Sequence, residues 1–300
     1  MHLFPGVNID MTAVTADKVQ LPELTEHGIA LFVLRLDKIH PVISGNKWFK
    51  LLYHLEEAQQ SKAEGLLTFG GAYSNHIIAV ACAAAGLGLK SRGIIRGERP
   101  GRLSHTLQEA MDYGMTLDFI SRSSYKTTTS AGFSGPPAET HTRYYVIPEG
   151  GSSPLGIQGS AEILHLVDKS SFSHILCAIG TATMFRGIAS SALPGQQAVI
   201  GIPVLKGEES IRSMLLPNSE LLTGYHFGGY AKKTAVLLDF MNRFYAATGI
   251  PTDFVYTGKL MFATLDLVKK GYFPRGSQLL VIHSGGLQGN RSLPAGTLHF

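Results

Sequence analysis

The chain has 300 residues, 44% of them hydrophobic and 16% charged, enough apolar mass for one large core or two interleaved ones. Its net charge of +4 comes from scattered basic residues with no basic-aromatic patch, so no nucleic-acid partner is expected. The two cysteines, Cys82 and Cys177, lie in apolar runs, which excludes a disulfide framework and reads as reduced core thiols in a cytoplasmic protein.

The first residues, MHLFPGVNIDMTAVTADK, have no basic region followed by an apolar stretch, so no signal peptide is expected. A helix is predicted over 47–60, followed by a short strand, GLLTFGG, at 65–71. The Ala-rich run 74–86 reads as a helix with Ser74 as its cap. Its apolar stretch, IIAVACAAAGLGL, is too short to span a bilayer, so no membrane partner is expected. A strand at 89–96, a helix at 104–114 closed by Gly114 and a strand at 115–120 complete a small βαβα unit. Residues 121–141 are polar and rich in Gly and Pro, and read as a loop or domain boundary. Beyond it come RYYVIPEGG at 143–151, a helix near 155–168, a strand turning into a helix over 173–189, and a strand at 198–204. Helices at 232–249 and 257–271 and a last strand within 277–286 follow. Alternating strands and helices imply parallel sheet covered on both faces, in two α/β units.

Four strand ends share one feature. LLTFGGAYSN, YVIPEGGSS, ILCAIGTAT and LLVIHSGGLQG each run an apolar strand into a glycine-rich turn carrying hydroxyls. Ligands of open α/β sheets bind at the carboxyl ends of strands, and such turns offer bare N–H groups to an anion. Neither a full G-x-x-x-x-G-K-[ST] nor a G-x-G-x-x-G is present, so a phosphorylated ligand other than a nucleotide is expected over the sheet. Lys47 stands at the mouth of the 47–60 helix, where the dipole disfavours a cation. It is either a solvated surface residue or a lysine kept nucleophilic for Schiff-base chemistry, which pyridoxal phosphate, an aldehyde with a phosphate, would use.

From about Leu21 to about Gly289 the sequence resembles the fold-type II pyridoxal-phosphate enzymes, specifically the 1-aminocyclopropane-1-carboxylate deaminase / D-cysteine desulfhydrase family. The stretches that carry the resemblance are VLRLDKIHPVISGNKWFKL, TFGGAYSNH, PEGGSSPLG, VYTGKLM and HSGG. It implies a tryptophan synthase β-like fold of two open α/β domains with the cofactor between them. The expected division is a large domain of 1–47 and 140–300 and a small one of 48–139. It implies Lys47 as the Schiff-base lysine, Asn75 on the cofactor's ring oxygen, and Ser74 as a proton relay or carboxylate contact beside the substrate. Gly180, Thr181, Ala182 and Thr183 would hold the phosphate. Tyr256 would sit near the reacting carbons, with Tyr230 as a second active-site tyrosine or an ordinary core residue. A homodimer is a further expectation of the family.

Thr257 follows Tyr256 at the position that faces the pyridine nitrogen in such enzymes. The ring-opening deaminases carry glutamate there and the desulfhydrases threonine. A hydroxyl cannot neutralise a pyridinium, so the electron sink is weaker and suits β-elimination better than ring opening; threonine is also a common helix cap. The phosphate loop departs from the family's glycine-threonine pattern at Ala182, Met184 and Arg186, and Arg186 could reach the phosphate or point to solvent. Twelve histidines show no metal-ligand spacing, so no metal is expected, and His76, next to Asn75, is a candidate polar substrate contact with His283 a weaker one. The expected activity is pyridoxal-phosphate-dependent β-elimination from a small amino acid, D-cysteine giving pyruvate, hydrogen sulfide and ammonia. The alternatives are 1-aminocyclopropane-1-carboxylate deamination, racemisation or elimination on another small amino acid, and a catalytically weak cofactor or amino-acid binder.

Overall fold

The computed structural model of the chain describes residues 4, 6–130, 143–205 and 209–300. The strands, in chain order, are β1 (Ala16–Val19), β2 (Ala30–Arg35), β3 (Gly65–Gly70), β4 (Lys90–Arg96), β5 (Met115–Ile120), β6 (Tyr144–Ile147), β7 (His174–Ile179), β8 (Ala198–Pro203), β9 (Ser219–Leu221) and β10 (Gln278–His283). The helices are α1 (Pro22–His27), α2 (Asn46–Gln60), α3 (Asn75–Gly86), α4 (His105–Asp112), α5 (Arg122–Ser130), α6 (Pro154–Ala161), α7 (Thr183–Ser191), α8 (Glu209–Arg212), α9 (Ala235–Thr248) and α10 (Thr257–Lys269).

Two sheets organise these elements. The larger runs β1-β2-β10-β7-β8-β9, parallel except for β1 against β2, and the smaller runs β5-β4-β3-β6, parallel throughout. Their central strands read as unbroken apolar runs because helices cover both faces: every residue of β3 is buried, as are the last five of β7 and of β10. Leu31, Val33, Leu176, Ile200 and Val281 meet α10 in one core, and Trp48, Phe49, Ile77 and Phe185 join α2, α3 and α7 in another.

The expected elements recur with three changes. Residues 122–130 form α5 instead of loop: Ser121 gathers Ser123, Ser124 and the N–H of Ser124 at its start, and Tyr125 buries its ring against Phe69. Polar composition hid a helix held by a single aromatic anchor, and the rest of the expected loop, from 131, lies outside the described residues. The helix expected over 155–168 is α6 ending at Ala161, after which the chain tightens to a 3-10 turn over Glu162–Leu166. Strand β6, expected with the larger unit, pairs with β3 in the smaller sheet. No helix among the described residues is long and apolar enough to cross a membrane.

Candidate active site

The four glycine-rich strand ends come from both sheets, two from each. The ends of β3 and β6 face those of β7 and β10 across a cavity of about 640 Å³, a size usual for small-molecule sites.

Lys47 enters this cavity from the first turn of α2. Gly45, just before the helix, has φ 65°, and a Cβ there would stand 1.9 Å from the carbonyl oxygen of Ser284. Only glycine lets the chain turn against the end of β10 and aim the lysine inward. Lys47 Nζ donates to Asn46 Oδ1 at 2.6 Å, and Asn46 Nδ2 donates to the sulfur of Met184 at 3.3 Å. Burial lowers the Lys47 pKa to about 8, against the Asp253 carboxylate, which raises it. Desolvation brings the neutral amine within reach near pH 8.

The β3 end supplies Ser74, Asn75 and His76, all on the cavity wall. Ser74 is both wall and cap: its hydroxyl accepts from Ile77 N–H at 3.4 Å. The free N–H groups of the first turn of α3 suit a carboxylate. The Asn75 side-chain oxygen is buried with no hydrogen-bond partner among the described residues. His76 Nε2 lies 2.9 Å from Thr68 Oγ1, which gives its own proton to the Ile147 carbonyl, so Nε2–H is the donor. Burial, followed by the charges of Lys47 and Lys50, lowers the His76 pKa and keeps the ring neutral.

Gly180, Thr181 and Ala182 line the opposite wall at the start of α7. Ala182 caps that helix at φ 59°, a left-handed turn of the kind from which backbone N–H groups build an anion nest. Lys50, one turn beyond Lys47, is buried and donates to Thr181 Oγ1 at 3.3 Å, which also pairs with Thr183 Oγ1 at 2.9 Å. Thr183 and the exposed Arg186 line an adjoining groove instead of the cavity. Arg186 therefore faces away from the cavity, and the lysine behind Thr181 is Lys50, whose pKa burial and the neighbouring Lys47 lower.

Tyr256 and Tyr230 form an edge-on pair with centroids 6.3 Å apart on the wall. Burial raises both phenol pKa values, so both are protonated at neutral pH. Tyr230 follows a loop that the buried Lys259 holds by donating to the carbonyls of His226 and Gly229, at 2.9 and 2.8 Å. Thr257 is not on the wall. Its hydroxyl donates to Asp253 Oδ1 and accepts from Asp253 N–H, both at 2.7 Å. The other Asp253 oxygen accepts from Val255 and Tyr256 N–H, so this carboxylate is spent capping α10. His283 packs below the wall, its Nε2 2.8 Å from the Pro251 carbonyl and its Nδ1 3.2 Å from Asp37.

A lysine of lowered pKa, a glycine-rich turn backed by a second lysine and an unpartnered buried amide oxygen are the contacts an aldehyde, a phosphate and a ring hydroxyl require. The family model of pyridoxal-phosphate dependent enzymes matches residues 11–285. The chain belongs to this family. It is a pyridoxal-phosphate enzyme of fold type II, and pyridoxal phosphate is its cofactor. It is 29% identical over 301 residues to the mitochondrial bifunctional D-cysteine desulfhydrase/1-aminocyclopropane-1-carboxylate deaminase of Arabidopsis thaliana, covering 88% of this chain and 74% of that one. It is 25% identical over 320 residues to the D-cysteine desulfhydrase of Salmonella choleraesuis, covering 95% of each. The crystal structure of a 1-aminocyclopropane-1-carboxylate deaminase homologue superposes with a TM-score of 0.78 at 25% identity, over 96% of this chain and 93% of that one.

The sequence reading of this enzyme missed Lys50, Ser284, Asp253, Arg96 and Glu149. Lys50 was visible as the residue one turn after Lys47, on the same helix face. Asp253 had no local signal, because its role is to cap a helix beginning four residues later.

Proposed function

We propose that the enzyme catalyses β-elimination from a small amino acid, releasing the β-substituent, a 2-oxo acid and ammonia, with D-cysteine as a substrate. The carrying observation is at the end of α10. Position 257 is threonine, its hydroxyl is tied to Asp253, and Asp253 is fully hydrogen-bonded. No carboxylate therefore faces the cavity from that end; the one acid on its described wall, Glu149, comes from the other sheet. Without a carboxylate to hold a charged ring nitrogen, elimination of a good leaving group is favoured over opening a cyclopropane.

The cofactor, when bound, supplies the electron sink for the Cα carbanion. The residues would divide the remaining work as follows. Lys47 anchors the cofactor's aldehyde and, once freed, takes the Cα proton at Nζ. Ser74 and the N–H groups of Asn75 and His76 hold the substrate carboxylate. Asn75 meets the ring oxygen. Gly180 to Ala182 and Lys50 hold the phosphate, with Thr183 bracing Thr181 from behind. Tyr256 and Tyr230, both protonated, stand beside the β-substituent as proton donors. We assign the chain to the cytoplasm as a homodimer, on the family resemblance and the reduced cysteines.

Sulfide release from D-cysteine and 2-oxobutanoate release from 1-aminocyclopropane-1-carboxylate, measured side by side, test the reading. Elimination should exceed deamination by about a hundredfold in kcat/KM, roughly 2.7 kcal/mol of transition-state preference. Equal rates, or ring opening alone, would overturn it.

A further inference from the structure

The smaller sheet presents its strand ends to the cavity in the order β5, β4, β3, β6. After β3 comes the Ser74–His76 turn, at the end of β4 stands Arg96, just after β5 stands Arg122, and after β6 comes Glu149; all line the cavity. Neighbouring strands are about 5 Å apart, so Arg96 is one strand, and Arg122 about 10 Å or two strands, from the carboxylate-binding turn. Arg96 leans toward that turn: its Nη2 lies 3.5 Å from where a Cβ on Gly71 would stand, and its guanidinium sits 5.6 Å from the centre of the Tyr125 ring. No carboxylate of the described residues pairs with either guanidinium. Glu149 comes from the far side of β3 but, like Arg96, acts on Tyr125, so the β4–β5 edge of the cavity carries two cations against one carboxylate.

We propose that Arg96 and Arg122 select substrates whose β-substituent ends in an oxyanion such as a carboxylate. This deepens the elimination reading and rests on it. With the α-carboxylate on the β3 turn, the β-substituent runs along the sheet edge beneath β4 and β5, and its terminal anion meets the guanidinium forks, which match planar oxyanions. The group that departs in the elimination carries this second charge away.

O-acetylserine and O-succinylserine, each as D and L isomers, test this in the holoenzyme. Both lose the Cα proton and break the same Cβ–O bond, whose electron pair leaves with the carboxylate; water then hydrolyses the enamine to pyruvate and ammonia. They differ in one distal carboxylate. The wild type should favour the succinyl ester, and the succinyl-to-acetyl ratio of kcat/KM should fall about tenfold in Arg96→Gln and further in Arg96→Gln/Arg122→Gln. A wild-type ratio at or below one, or a ratio unmoved in the double variant, would overturn the proposal. Calorimetric binding of glutamate against glutamine needs no turnover. Glutamate should bind about tenfold more tightly, with the preference lost in Arg96→Gln. Glutamate preference without turnover of any ester would sink the elimination reading alone. Turnover of both esters without a charge preference would sink this proposal alone.

Discussion

At Lys47 two opposing fields meet: desolvation lowers its pKa to about 8 and the Asp253 carboxylate raises it. The condensing species is the neutral amine, so the rate at which apoenzyme takes up pyridoxal phosphate should rise with pH to a midpoint near 8, not near the ordinary 10.5. Stopped-flow absorbance across that range measures it, and a midpoint at the ordinary value would mean that the lysine is solvated. Much of this site was legible from single residues. Lys47, Ser74, Asn75 and both tyrosines come from short motifs whose local geometry, a glycine turn into a helix, is set within a few positions of sequence. What could not be read is where a side chain spends its hydrogen bonds. Thr257 looked like a ring contact, and its hydroxyl is taken by Asp253. Arg186 was open between the phosphate and solvent, and it is exposed in an adjoining groove. Met184 looked like a lost hydroxyl, and its sulfur accepts from the Asn46 amide that carries the lysine.

At the scale of elements, the site depends on joints between segments. Lys259 on α10 ties down the 226–229 turn that precedes Tyr230. Lys259→Met removes both donors and leaves two carbonyls unpaired, which should destabilise the fold by about 1–3 kcal/mol. The loop carrying Tyr230 should also loosen, so kcat falls more than KM rises; an unchanged kcat would show that Tyr230 takes no part. Gly45 joins α2 to the end of β10. Gly45→Ala forces a side chain into a left-handed turn and onto the Ser284 carbonyl, and should displace Lys47 enough to slow cofactor loading by about a hundredfold. The reading of 121–141 as loop failed at this same scale. Helix α5 is amphipathic only through Tyr125 and owes its position to packing on Phe69, which composition does not reveal.

The whole molecule is two sheets whose strand ends converge on one cavity, and the alternation of strands and helices made the architecture readable before the pairing of strands was known. The convergence was expected only from the family resemblance, which puts the cofactor between two open α/β domains; the turns alone do not say which sheet each belongs to, and the β6 end, expected with the larger unit, joins the smaller sheet. Enclosure has a global consequence. Lys47, Lys50 and Lys259 all have lowered pKa values, with Lys47 and Lys259 near 8. Between about pH 8 and 9.5 the unfolded chain therefore binds more protons than the folded apoenzyme, and apoenzyme stability should rise with pH across that window, as urea unfolding would show.

The central claim is that this cavity holds pyridoxal phosphate on Lys47, and borohydride reduction of the loaded protein followed by peptide mapping tests it most directly. One visible absorbance band, lost on reduction, and a pyridoxyl group on the peptide containing Lys47 are expected, with no such label in Lys47→Ala. Label on Lys50 or on a surface lysine, or no band at all, would contradict it.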